Sequence, residues 1–267
     1  MPVGPGHGGV RGHDGTVPAA TAIVSEDPTA PGGPSSLRPG VTHSKNEWHS
    51  PKVPGDGNSD TVDEAAPYTP HMEPIFLTTE RLLLRPFVPS DVTALQAACQ
   101  DPDISRYTNV PSPYTLEHAR TFIEERCVDG WRDDSVYAFG LFSREDGRLV
   151  GSMALVRLQL PDPERQAELG YWTAKEARGR GYTVEAAREV IRWAFEDLGV
   201  ERMEWYAEAG NEGSRAVALK VGFRMEGTMR AKIPYAGTRR DAWVGALLPS
   251  DLGLPTPAPY LPYPERG

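Results

Sequence analysis

The clearest pattern in the chain is an alternation of short apolar runs with amphipathic segments between about residue 75 and residue 250. Apolar residues cluster in 76–87, 136–142, 149–156 and 203–207, each bounded by Pro, Gly or charged residues, which predicts β-strands. Between Val184 and Leu198 they recur at three- and four-residue spacing, which predicts an amphipathic helix that ends at Gly199. A chain in which strand-like runs alternate with amphipathic helical segments is typical of an α/β domain with a mixed sheet.

Weaker signals complete the order of elements. Segments 90–99, 116–127 and 214–221 have helical spacing, 167–173 is strand-like, and 223–248 predicts a hairpin that turns at Ala236-Gly237. The predicted order is strand, two helices, three strands, helix, strand, helix and two strands. The segment 107–111 contains no period and is predicted to be a loop.

The two ends of the chain differ in composition from this patterned region. Residues 1–71 contain 11 Gly and 11 Pro and almost no aromatic residue, so we expect a disordered tail. Met72 stands immediately before Glu73, where the globular patterning begins, and the sequence leaves open whether residues 1–71 are translated. The expected organisation is a tail over 1–71, one domain over 72–252 and a Pro-rich tail over 253–267.

Charge and cysteine content exclude several classes of protein. A net charge of −9 argues against nucleic-acid binding through phosphate contacts. No signal-peptide pattern and no run of 18 apolar residues is present, so we expect a cytoplasmic protein without a membrane partner. Cys99 and Cys127 have no metal-ligand spacing and lie in apolar helical settings, which predicts buried thiols and no metal site.

The candidate chemistry begins in the loop at 177–183, which contains Gly179 and Gly181 and runs directly into the predicted helix. Two closely spaced glycines allow consecutive N–H groups to point at one position on the helix axis, which suits a phosphate. The dinucleotide fingerprint requires Gly or Ala where Val184 stands, and the Gly-Lys-Ser/Thr of a Walker loop is absent. A plain turn before a helix is the alternative interpretation.

Several motifs in a fixed order resemble the GNAT superfamily of acyl-CoA-dependent N-acetyltransferases, and within it the RimJ/RimL type that acts on ribosomal-protein N-termini. They span roughly 75–252 and are Thr79 to Arg85, Glu168 to Trp172, Arg178 to Tyr182, Asn211 with Ser214, Gly222-Phe223, Glu226-Gly227 and Asp241. The superfamily favours Gln or Arg three residues before the first glycine, where this chain has Glu176. The resemblance implies the GNAT fold, a mixed sheet flanked by helices.

The resemblance also implies a role for each site residue. The loop is expected to hold the pyrophosphate of acetyl-CoA through its backbone amides, and the residues concerned are Arg178, Gly179, Arg180, Gly181, Tyr182 and Thr183. Asn211 would contact the pantetheine arm and Ser214 would protonate the departing thiolate, because the Tyr that many members use is Ala218 here. Both residue types are also good helix caps, which needs no catalytic role.

Glu168 is the candidate general base. An amine acceptor is protonated at neutral pH and must lose a proton before it attacks a thioester, which a nearby carboxylate can accept. A solvated strand-edge carboxylate or an ion-pair partner is the alternative. Arg81 and Arg85 either face the acceptor or pair with carboxylates, and Tyr171, Trp172, Trp193 and Trp205 are expected in the core.

We therefore expect an acetyl-CoA-dependent N-acetyltransferase that acts by direct transfer without a covalent enzyme intermediate. The first expected acceptor is a protein N-terminal α-amine. A small-molecule amine such as an aminoglycoside is the second, and a non-catalytic acyl-CoA-binding regulatory module is the alternative from another class. The sequence does not decide between acetyl and longer acyl donors, or between a monomer and a homodimer.

Overall fold

The computed structural model of the chain describes residues 72–235, 237–256 and 258–262. The expected tail over 1–71 lies outside the described residues, as do residues 257 and 263–267 of the expected C-terminal tail. Within the described ranges, every helix is too short or too polar to cross a membrane.

In the residues that the structure describes, eight strands form one sheet. They are β1 (Leu77–Thr78), β2 (Leu82–Arg85), β3 (Tyr137–Ser143), β4 (Leu149–Gln159), β5 (Gln166–Thr173), β6 (Arg202–Glu208), β7 (Arg224–Tyr235) and β8 (Thr238–Leu247). Their spatial order is β1-β2-β3-β4-β5-β6-β8-β7, and all pairs are antiparallel except β5 with β6. The predicted mixed sheet is confirmed.

The described part of the chain contains six α-helices. They are α1 (Val92–Ala98), α2 (Pro102–Tyr107), α3 (Leu116–Thr121), α4 (Val128–Arg132), α5 (Tyr182–Glu196) and α6 (Glu212–Val221). A π-helical segment, Phe122–Cys127, joins α3 to α4, so the predicted helix over 116–127 extends to Arg132. The helix predicted after the glycine loop is α5.

Two parts of the sequence prediction were wrong. The apolar run 76–87 is two antiparallel strands, since the chain turns back at Thr79, whose N–H donates to the Leu82 carbonyl at 2.9 Å. The helix α2 was missed, because six residues are too few to show a period. The residue pair Asp101-Pro102 is nevertheless a sequence pattern typical of a helix start. In the structure the Asp101 carboxylate accepts from the Asp103 N–H at 3.1 Å, and Pro102 occupies the first turn.

The parallel pair β5 and β6 opens a gap in the sheet. Their pairing covers only Gln166 to Glu168 on β5 and Arg202 to Glu204 on β6. Beyond it, β5 pairs with β4 and β6 pairs with β8, so the facing edges of β5 and β6 are unpaired. Unpaired strand edges leave backbone groups available, and we call this region the β5–β6 gap.

Helices cover both faces of the sheet. On the first, which we call the α5 face, Trp193 of α5 packs against Tyr137 and Phe139 of β3, with ring centroids 5.8 and 5.7 Å apart. On the opposite face, α1 packs against β4 and α3. We call it the α2 face, because Arg106 of α2 contacts Glu208 of β6 there. The four expected core aromatics, Tyr171, Trp172, Trp193 and Trp205, are all buried, as predicted. Burial of each large side chain contributes about 1.5–3 kcal/mol.

The two cysteines are also buried and are not joined in a disulfide, as predicted. Burial raises the pKa of both thiols to about 12, so both stay protonated at neutral pH. They serve packing.

Candidate functional site

The glycine loop forms the start of helix α5. Gly179 and Gly181 have φ values of +74° and +80°, in the left-handed region where a β-carbon is unfavourable. Gly181 is the N-cap of the 15-residue helix and provides no side-chain acceptor for the first-turn amides. The first N–H groups of a helix have no intrahelical partner and carry the positive end of its dipole. This loop therefore presents donors to an anion.

An open cavity of about 1100 Å³ lies at this helix start. Five of the predicted loop residues line it: Arg178, Gly179, Gly181, Tyr182 and Thr183. The opposite wall is formed by α6 residues, including Gly213, Val217 and Lys220. A volume of this size accommodates a nucleotide-sized ligand. The residues present therefore fit the expected pyrophosphate group of acetyl-CoA.

The two loop arginines differ in their surroundings. The nearly buried guanidinium of Arg178 pairs with Asp101 and Asp103, and its Nε donates to the Thr173 carbonyl at 3.3 Å. Arg180 is exposed, and its guanidinium lies 5.7 Å from the ring centre of Tyr182. Because the charge of Arg178 is already paired, its side chain fixes the loop to α2.

A second anchor of the loop was missed at the sequence level. Glu185, in the first turn of α5, accepts from the Thr79 hydroxyl at 2.6 Å, the Arg81 N–H at 2.9 Å and the Arg81 Nε at 2.6 Å. Burial opposes ionisation of Glu185, but these hydrogen bonds outweigh it and hold the pKa of its carboxyl below the usual value. Arg81 thus pairs with a carboxylate, and so does Arg85, with Asp91.

Helix α2 spans the ends of the two diverging strands. Asp101, just before α2, pairs with Arg178 beyond the end of β5. At the other end, Arg106 donates to both oxygens of Glu208, the last residue of β6, at 2.7 and 2.9 Å. Arg240 of β8 also donates to Glu208, at 2.8 Å. Short α2 therefore links both sides of the β5–β6 gap through charged contacts.

Glu168 is buried on the α2 face, with 2% of its side chain exposed. Its carboxylate accepts from Nη1 of Arg157, and it lies opposite Glu204 of β6 in register. Burial raises the pKa of Glu168 to about 7; the Arg157 and Lys232 cations oppose this increase and Glu204 adds to it. The interpretation of a solvated strand-edge carboxylate was therefore wrong, while an ion pair is present.

Ser214 is fully buried on the α5 face and does not line the large cavity. Its hydroxyl lies 3.1 Å from the Tyr171 hydroxyl and accepts from Trp205 Nε1 at 3.0 Å. The Asn211 side chain accepts from the Ser214 N–H at 3.1 Å and so caps α6. The cap interpretation describes this geometry, and the predicted roles in pantetheine contact and thiolate protonation stay predictions.

Glu168 and Ser214 approach the β5–β6 gap from opposite faces of the sheet. Successive side chains of a strand point to opposite faces, so Glu204 and Trp205 mark the two faces of β6. Glu168 is in register with Glu204, whereas Ser214 contacts Trp205. Tyr171, which contacts Ser214, was assigned only to the core by the sequence. A base on one face and a hydroxyl pair on the other suit a reaction centre located between them.

The predicted loop at 107–111 lines a smaller cavity of about 160 Å³ on the α2 face. Asn109, Val110 and Pro111 contribute to its wall together with Trp172 of β5. Most of the remaining lining is apolar.

Comparison with known proteins identifies the fold and the family. The family model "Acetyltransferase (GNAT) domain" matches residues 81–224. The Bacillus subtilis protein "Probable N-acetyltransferase YjcK" is 34% identical over 138 residues, which cover 52% of this chain and 75% of that protein. "Putative ribosomal N-acetyltransferase YdaF" from the same organism is 41% identical over 103 residues, 39% of this chain and 55% of its own length.

Solved structures agree with the sequence comparisons. A putative ribosomal-protein-serine acetyltransferase from Vibrio cholerae is 27% identical with a TM-score of 0.58, covering 66% of this chain and 98% of that one. Mycobacterium smegmatis RimJ, solved with CoA-disulfide, has the same fold at 23% identity and a TM-score of 0.59, over 67% and 88% of the two chains. The chain therefore belongs to the GNAT family of acetyl-CoA-dependent N-acetyltransferases.

Proposed function

We propose that this N-acetyltransferase transfers the acetyl group of acetyl-CoA to the α-amine at the N-terminus of a protein, with Glu168 as general base. The relatives named as ribosomal acetyltransferases, YdaF and the Vibrio cholerae enzyme, support an acceptor of this class. The observation that carries the proposal is the buried carboxylate of Glu168 beside the β5–β6 gap, with a pKa raised to about 7.

The donor would bind along the large cavity. The amides from Arg178 to Thr183 would hold the pyrophosphate at the start of α5, and the unpaired edges of β5 and β6 offer backbone partners to the pantetheine amides. Acetyl-CoA supplies an activated thioester. Asp101 and Asp103, which both pair with Arg178, hold the loop in place before acetyl-CoA binds.

The pKa of Glu168 fits one class of amine. Proton transfer is efficient when the base and the acid have similar pKa values. The α-amine of a protein has a pKa of about 7.7–8.0, close to that of Glu168, whereas a lysine side chain titrates at about 10.4. The ammonium loses its proton to Glu168, and the neutral nitrogen then attacks the thioester carbonyl. This match favours an N-terminal amine over an alkyl amine.

The leaving thiolate needs a proton on the other face. Ser214, supported by Tyr171 and Trp205, would donate it from the α5 face. Burial raises the pKa of Tyr171, so its hydroxyl stays protonated at neutral pH and remains a donor within this group.

A thiol-release assay with acetyl-CoA tests the acceptor class. We expect turnover with peptides that have a free N-terminus and none with the same peptides blocked at the N-terminus but carrying a lysine. Mass spectrometry of the product should place the acetyl group on the α-nitrogen. Turnover only with aminoglycosides or other small amines would contradict the proposed acceptor. Binding of acetyl-CoA without turnover for any amine would favour a regulatory module.

A further inference from the structure

Arg157 lies against the buried carboxylate that the proposed reaction uses. Its own side chain is 49% exposed, while the Glu168 side chain that it contacts is 2% exposed. The backbone φ of Arg157 is +49°, in the stretch after Val156 where β4 leaves its regular register with β5. A β-carbon makes this left-handed conformation unfavourable. A strained backbone that points a half-exposed cation at a buried base is a candidate functional feature.

Other charged groups surround the same point. Glu204 of β6 faces Glu168 in register and is itself held by Arg202 at 3.0 Å and by the Tyr206 hydroxyl at 2.9 Å. The Arg157 guanidinium and the Lys232 ammonium, from β7, lie 5.8 and 5.5 Å from the Tyr206 ring centre. Glu168 therefore faces one anion and two cations.

We propose that Arg157 is a positioning residue that keeps Glu168 ionised until the acceptor arrives, and that the acceptor ammonium then replaces it against the carboxylate. The inference rests on the proposed function, in which Glu168 takes the amine proton. A guanidinium and an ammonium have the same charge and need the same oxygen atoms. Because half of Arg157 is already in solvent, moving it outward exposes little buried surface.

The proton balance is simple. The ammonium nitrogen gives one proton to a Glu168 oxygen, and Arg157 keeps all its own protons throughout. As the C–S bond breaks, the nitrogen of the adduct loses its second proton to water, and water returns a proton to Ser214, which has protonated the CoA thiolate. The acetylated nitrogen is then neutral and no longer pairs with a carboxylate. Glu168 then releases its proton to water as Arg157 returns.

The test compares Arg157→Gln, Arg157→Lys and the wild-type protein across pH 5–9, by kcat/KM for acetyl transfer and by ¹³C NMR titration of the Glu168 carboxyl. An adjacent cation lowers a carboxyl pKa by about 1–3. In Arg157→Gln the Glu168 carboxyl should therefore titrate at least about one pH unit higher. Its kcat/KM should be about tenfold lower than that of the wild-type protein below pH 7 and should recover near pH 9. Arg157→Lys should restore most of this loss. Arg224→Gln, which removes an exposed partner of Asp251, is the matched control and should change neither curve.

The two readouts separate the two proposals. If acetyl transfer is measured but Arg157→Gln leaves both curves unchanged, the role of Arg157 is refuted and the proposed function stands. If no acceptor is acetylated, the proposed function fails and replacement of Arg157 by the acceptor fails with it. The NMR titration then decides only whether Arg157 keeps Glu168 ionised: a higher Glu168 pKa in Arg157→Gln supports this, and an unchanged pKa overturns it.

Discussion

Replacing Glu168 with glutamine should stabilise the protein while it removes the base. Glu168 is almost fully buried, and burial raises its pKa from 4.5 to about 7. The fold therefore favours the neutral carboxyl, so this residue's contribution to stability is fully present below pH 4.5 and is lost as the pH rises through 7. Glutamine has the same shape without the charge and avoids this loss.

The magnitude follows from the pKa difference. At about 1.4 kcal/mol for each tenfold change in proton affinity, a pKa of about 7 in place of 4.5 corresponds to about 3 kcal/mol. Most of this difference should develop between pH 5 and pH 8. Arg157, which loses its partner in the variant, is half exposed and can be hydrated instead.

Urea unfolding of Glu168→Gln and the wild-type protein at four pH values measures this directly. The difference in free energy of unfolding should grow with pH and favour the variant by up to about 3 kcal/mol at pH 8. Glu117→Gln changes an exposed carboxylate on α3 and should show no such trend. A variant that is less stable than the wild-type protein at pH 8, or a difference independent of pH, would refute the reasoning.

Three further outcomes are expected. Gly181→Asp places a negative charge and a strained left-handed aspartate at the start of α5, so calorimetry should show acetyl-CoA binding lost while circular dichroism stays native; unchanged binding would exclude this loop as the pyrophosphate site. Asp101→Asn weakens the anchor of Arg178 and should reduce acetyl-CoA affinity about tenfold, whereas Asp146→Asn should not. Ser214→Ala should lower kcat less than loss of the base does, because water can protonate the thiolate; a loss equal to that of Glu168→Gln would contradict this.

Local sequence patterns were sufficient to predict most of the helices and strands. The apolar spacing in α5 and the two-glycine loop before it are read within about twenty residues, and both were predicted. Glu168 was predicted to be the base from its position before the loop, and this role stays a prediction. Its burial depends on Arg157 and on the facing strand β6. A single sequence contains no signal for that environment.

The features that were missed depend on distant residues. Arg178 and Asp101 are 77 positions apart, and Arg106 and Glu208 are 102 positions apart. Helix α2 has only six residues, so its place across the β5–β6 gap follows from these ion pairs and not from periodicity. Sequence pattern alone cannot pair charges over such separations.

The central claim is that Glu168 accepts the proton of the acceptor amine, and steady-state turnover of Glu168→Gln at pH 7 with a peptide acceptor that has a free N-terminus tests it most directly. General-base removal should reduce kcat by about 10²–10⁴-fold, with acetyl-CoA affinity by calorimetry close to that of the wild-type protein. Higher pH should restore part of the activity, since more of the amine is then neutral. Full activity of Glu168→Gln at pH 7 would contradict the account and place the base elsewhere.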